Sequence, residues 1–223
     1  MTPPARPDAV SEPAARDRRA AVRAGVRVEV VTLVWMVVEA AASLGAGLVA
    51  GSLLLIAFGL DSVIELVTGG ILLWRLSVEG RGGHAERVER AEGRAAWVVA
   101  VALTLLCVYV LASAVYGLIT RARPEASVVG IGISAAAVVV MPGLGLTKRR
   151  LATRLGSGAL RGDAASSFTC GYMAATVLAG LALNALFHWW WAEDVAAPIF
   201  LFWLISETRE ALKEAHGEHE EAA

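Results

Sequence analysis

The chain has 223 residues, 57% of them hydrophobic, with a mean hydropathy of +0.59 and a formal net charge of −1. That apolar content is gathered into long uncharged runs, which excludes a disordered chain, a soluble enzyme domain and a nucleic-acid-binding module. Runs free of Lys and Arg occupy residues 30–52, 53–74, 96–119, 128–146 and 164–187, each near the roughly 20 residues that cross a bilayer. A sixth, shorter run lies at 195–206. The pattern predicts an all-α, polytopic integral membrane protein with six transmembrane helices.

In chain order, residues 1–19 are rich in Pro, Ala and Arg without hydrophobic periodicity and read as a disordered cytosolic tail. The first run is too long for a signal-peptide core and carries Glu39, which argues against a cleaved leader. Gly45, Gly47 and Gly51 allow a tight turn around Ala50, so spans 1 and 2 form a helical hairpin. The Glu/Arg alternation after His84 suits a solvated helical lead-in to span 3. Cys107 and Cys170 fall on different spans and are expected as free thiols. Trp189, Trp190 and Trp191 mark the outer end of the last span, and Trp74 and Trp97 mark inner ends, as interfacial aromatics do. His84, His188, His216 and His219 lie outside the spans and read as solvated. Residues 20–215 thus form the transmembrane domain, and 216–223 a short acidic cytosolic tail.

Basic residues set the orientation. With six spans, eighteen of the twenty Lys and Arg residues fall on one side, in the N-terminus, the second loop, the fourth loop (from Lys148 to Arg161) and the tail, leaving Arg121 and Arg123 opposite. The positive-inside rule then puts both termini in the cytosol, and the plasma membrane is the expected location.

No Gly-rich phosphate loop, HExxH or Ser/His/Asp arrangement is present, so chemistry rests on the intramembrane acids. Glu39, Asp61 and Glu65 lie in spans without Lys, Arg or His, and a buried carboxylate without a partner must take up a proton or bind a cation. Asp61 and Glu65 are i, i+4 neighbours on one face of span 2. Asp163, Ser166, Ser167 and Cys170 make a polar stripe along span 5. With a rise of 1.5 Å per residue, Asp61 lies about 14 Å and Glu65 about 20 Å below the outer face. Ser166 and Cys170 then lie at matching depths, and Glu39 is nearly level with Asp61. The expected site is oxygen-rich with one thiol, suited to a divalent metal, the sulfur favouring Zn²⁺ over Mg²⁺ or Ca²⁺. Asp163 could alternatively cap its helix or pair with Arg161, and Glu39 and Ser167 are accessory candidates, Glu39 for proton coupling.

These residues resemble the cation diffusion facilitator family of divalent metal transporters, whose site joins an acid pair in span 2 to a His-x-x-x-Asp pair in span 5. Asp61-Ser62-Val63-Ile64-Glu65 is similar to its Asp-Ser-x-x-Asp, and Asp163-Ala164-Ala165-Ser166-Ser167-Phe168-Thr169-Cys170 to its Asp-Ala-x-His-Ser-x-x-Asp. Ser166 stands at the His position and Cys170 at the Asp position. Trp191-Ala192-Glu193-Asp194 resembles the start of the family's span 6, without its proline. The resemblance implies a non-enzymatic exporter of a divalent metal, Zn²⁺ first, in exchange for protons, with no cofactor beyond the transported ion. It implies a metal site of Asp61, Glu65, Asp163, Ser166 and Cys170. With 17 residues after Ser206, it also implies a short branch without the family's cytosolic domain. A homodimer would then rest on membrane helices, with Ala112, Ser113 and Tyr116 on span 3 and the Gly130/Ser134 pair on span 4, residues that equally suit packing within one chain. The missing His leaves a transport-inactive scaffold or partner subunit as the alternative.

Overall fold

The structure, a computed structural model, describes residues 12–79, 85–121 and 124–221. It contains six helices, α1 (Glu12–Ala50), α2 (Leu53–Glu79), α3 (Ala85–Thr120), α4 (Val128–Leu155), α5 (Gly158–Phe187) and α6 (Ala192–Glu221), and no strand among the described residues. Helices are what a bilayer dictates, since each satisfies its own backbone polar groups without water. Stretches of α1 to α5 are long and apolar enough to cross a membrane: Ala20–Ala50, Leu53–Trp74, Trp97–Thr120, Val128–Leu155 and Leu160–Phe187. The protein is a polytopic membrane protein.

Local chemistry sets the helix ends. Gly51, at φ +67°, makes the reversal between α1 and α2 in the left-handed region that glycine adopts at least cost. Ser127 caps α4 by accepting from the Gly130 N–H at 3.0 Å, and Ser157 caps α5 by accepting from the Leu160 N–H at 3.3 Å. His188 closes α5 at φ 57°, its N–H donating to the Asn184 carbonyl.

The helices form a closed ring in the order α1, α2, α3, α6, α5, α4, with α2 and α5 also touching across its centre. Phe58, Met141, Met173, Val177, Phe200 and Leu204 fill the core. Val34, Val49, Leu105, Val139 and Phe202 point outward, as lipid-facing side chains of a bundle do, and Trp189 stacks on Trp191 at 5.0 Å in the turn between α5 and α6. Gly130 lies so close to Leu55 and Leu181 that a methyl group would clash, and Ser134 is fully buried, so this small-residue pair is spent on packing within the chain.

Two features differ from the sequence reading. Helix α1 starts at Glu12, inside the stretch read as a disordered tail, because Pro13 fits a first helical turn and the Ala/Arg sequence after it is strongly helix-forming; residues 1–11 lie outside those described. Lys148, counted with the basic residues of the fourth loop, is fully buried inside α4, which runs two turns past the apolar stretch. The reason is a partner: two carboxylates await it in the bundle.

Candidate metal centre

The inward faces of α1, α2, α5 and α6 carry polar residues at the heptad-like spacing of a buried stripe. On α1 these are Glu29, Thr32, Glu39 and Ser43, and on α2 Asp61, Ser62 and Glu65, all buried. At the centre, one carboxylate oxygen each of Asp61 and Glu65 and the Cys170 sulfur lie within 4.8 Å of one another, on α2 and α5. Asp61 is 0% exposed, and neither of its carboxylate oxygens has a hydrogen-bond partner. A carboxylate stripped of water and given no donor has no structural purpose of its own.

Hydrogen bonds hold much of the surrounding shell, by contrast. Glu39 accepts from Trp35 Nε1 at 2.7 Å, from Ser62 Oγ at 2.8 Å and from Cys170 Sγ at 3.5 Å, which ties α1 to α2 and α5. Ser167 donates to the Asp163 carbonyl one turn back at 3.0 Å, a local helix bond. Ser166 Oγ stands 2.7 Å from Glu65 Oε1 and 2.7 Å from Glu207 Oε1. Glu207, on α6, was not read from the sequence because the sixth apolar run ends at Ser206. Its signal was the spacing from Phe200 and Leu204, which continues the buried stripe of α6 by one more turn.

Asp163 belongs to a different cluster. Lys148 Nζ lies 2.6 Å from Asp163 Oδ2 and 3.1 Å from Glu29 Oε2, joining α4, α5 and α1. Gly69 of α2 makes room for it: a methyl group there would come 2.8 Å from Glu29 Oε1. Of the five metal candidates, the structure therefore brings together Asp61, Glu65, Cys170 and, through its hydrogen bond to Glu65, Ser166; it gives Asp163 a resident cation.

A third polar contact closes the end of the bundle at the α1–α2 turn, where Ser52 Oγ donates to Glu193 Oε2. Glu193 and Asp194 precede the apolar run of α6. Burial, with the neighbouring Asp194 adding to it, pushes the Glu193 carboxyl up to about 7 against the pull of the Ser52 bond, and burial holds Asp194 at about 6.

A bundle of apolar helices around an unsatisfied cluster of two carboxylates and a thiol defines a membrane protein that handles cations. The profile of the cation efflux transmembrane domain matches residues 30–217. The chain belongs to that family, and it is a membrane cation transporter of the cation diffusion facilitator kind. A comparison with curated proteins gave no match.

Proposed function

We propose that the protein exports a divalent metal, Zn²⁺ first, from the cytosol in exchange for protons, through a site made by Asp61, Glu65 and Cys170 with Ser166 beside them. The observation that carries this reading is Asp61, fully buried, without a hydrogen-bond partner, and grouped with Glu65 and Cys170 inside 4.8 Å. Donor atoms around a tetrahedral zinc stand about 3.3–3.7 Å apart, so a contraction of roughly 1 Å would suit the ion. Two carboxylates favour hard cations and the thiolate favours zinc among them.

Proton exchange follows from the same desolvation. Without metal, carboxylates in an apolar interior are stable only when protonated, so metal binding releases protons and metal release takes them up. The contacts of Ser166 fit this exchange: its one hydroxyl proton serves one carboxylate, so the second 2.7 Å contact needs a carboxyl that brings its own proton. Glu39, fully bonded, positions Cys170. The ion is cargo, and the bundle rocks around it to alternate access.

The test is flux into proteoliposomes with Zn²⁺, Mn²⁺, Fe²⁺, Co²⁺ and Mg²⁺, with and without a pH gradient. Zn²⁺ uptake driven by the gradient is expected. Absence of any metal flux from well-folded protein would leave the transport-inactive partner subunit as the reading.

A further inference from the structure

The family resemblance draws its metal site from spans 2 and 5 alone, and in this chain span 5 offers Ser166 where the family has His. The space around Ser166 is taken up by α6. Glu207 Oε1 lies 2.7 Å from Ser166 Oγ, and Glu65 Oε1 of α2 makes a matching 2.7 Å contact with the same hydroxyl. The remaining Glu207 oxygen, Oε2, is buried without a hydrogen-bond partner, as are Glu65 Oε2 and both oxygens of Asp61. By helix rise Glu207 lies about 22 Å below the start of α6, level with Glu65.

We propose that Glu207 is a metal ligand, the third carboxylate of the transport site, supplied by α6 in place of the missing span-5 histidine. The proposal rests on the reading of Asp61, Glu65 and Cys170 as that site. Among the described residues no Lys, Arg or His forms an ion pair with Asp61, Glu65 or Glu207, and a divalent ion between the three carboxylates supplies the missing positive charge. Ser166 holds Glu65 and Glu207 apart at one hydrogen bond each while the ion is away; a shift of its hydroxyl lets both carboxylates close on the metal. The site then spans three helices, so binding the ion ties α6 to α2 and α5.

The donor set predicts selectivity. With Glu207 the site is dominated by oxygen and accepts Mn²⁺ as well as Zn²⁺; without it, the Cys170 sulfur carries more of the remaining affinity and Zn²⁺ is less affected. The experiment is metal binding to the purified full-length chain in nanodiscs, with Mn²⁺, Zn²⁺ and Co²⁺ as probes, comparing wild type with Glu207→Gln, Glu207→Asp, Ser166→Ala and Asp61→Asn. Glu207→Gln should weaken Mn²⁺ at least about 10-fold, weaken Zn²⁺ less, and change the visible spectrum of bound Co²⁺, whereas Glu207→Asp should keep part of the affinity. The Glu207→Gln loss should persist in a Ser166→Ala background. Wild-type binding and an unchanged Co²⁺ spectrum in Glu207→Gln, with binding lost in Asp61→Asn, would overturn the role of Glu207 and leave the site reading standing. A loss that disappears in the Ser166→Ala background would reduce Glu207 to a partner of Ser166 and overturn it equally. Unchanged binding in Asp61→Asn as well would remove the underlying site.

Discussion

Replacing Lys148 by Met keeps the length and most of the volume of the side chain and removes its charge. Lys148 is 0% and Glu29 1% exposed, and the cation is shared between contacts of 3.1 and 2.6 Å. At an effective dielectric constant of about 20, those contacts are attractive by about 5 and 6 kcal/mol before desolvation is subtracted. Most of that gain is cancelled by the cost of burying three charges. Once the cation is gone the two acids face each other without it, and removal of one partner from a buried ion pair costs about 3–5 kcal/mol. Asp163 is 17% exposed, so partial hydration holds the expected loss for Lys148→Met near the lower end, about 3 kcal/mol. Glu29→Gln should cost less, because it leaves a balanced Lys148–Asp163 pair. The triple variant Lys148→Met, Glu29→Gln, Asp163→Asn should recover most of the loss, since no buried charge is then unpaired. Equilibrium unfolding in mixed detergent micelles measures all three. A Lys148→Met variant within 1 kcal/mol of wild type, or one no worse than Glu29→Gln, would refute a buried ion-pair cluster and favour a solvated lysine.

Asp61→Ala or Glu65→Ala should abolish metal flux into proteoliposomes while leaving the protein folded, because removing a buried acid that has no cation relieves desolvation; wild-type flux in both variants sinks the site. Cys170→Ser should lower Zn²⁺ transport more than Mn²⁺ transport, since the thiolate is the ligand that prefers zinc, and an equal loss for both ions argues for a packing role. Reporter fusions after Ala223 and within residues 121–127 should give opposite signals, the first cytosolic; matching signals would contradict the positive-inside assignment. At the start of α6, Glu193 is raised from an ordinary 4.5 to about 7, so the folded state holds a proton there that the unfolded chain gives up. Its contribution to stability is complete below about pH 4.5 and is lost as pH rises toward 7, by up to about 3 kcal/mol. Glu193→Gln should flatten the pH dependence of unfolding across that window, and an unchanged slope would refute the assignment.

The five long spans, the glycine turn at Ala50 and the depth match between Asp61–Glu65 and Ser166–Cys170 were legible because each depends on local spacing along a helix of known rise. What escaped were Glu29, Lys148 and Glu207, each at the margin of an apolar run. Hydropathy alone truncates a span at its first charge, so Lys148 was assigned to a loop and Glu207 to a tail. The inward stripe continues through them: Ser134, Ala137, Met141, Gly145, Lys148 and Leu151 are all buried on α4, and Glu193, Ala197, Phe200 and Leu204 lead to Glu207 on α6. A charge that falls on such a stripe is a buried residue in search of a partner. Which partner it meets depends on the order of helices around the ring, and sequence spacing within one helix carries no information about that order.

That order also separates the two acidic clusters by purpose. Glu29 and Asp163 reach Lys148 because α1 and α5 both flank α4. Asp61, Glu65 and Glu207 sit on α2 and α6, and among the described residues no Lys, Arg or His forms an ion pair with them, while the hydrogen bonds around them come from hydroxyl, indole and thiol donors. Neutral donors stabilise a carboxylate without cancelling its charge, so the balance has to come from outside the chain, as protons or as a metal ion. A cluster with its own lysine has no such need and gains nothing from exchanging ions. The acids without a cation are the ones that can trade one for another, and it is for that reason that we propose them as the transport site.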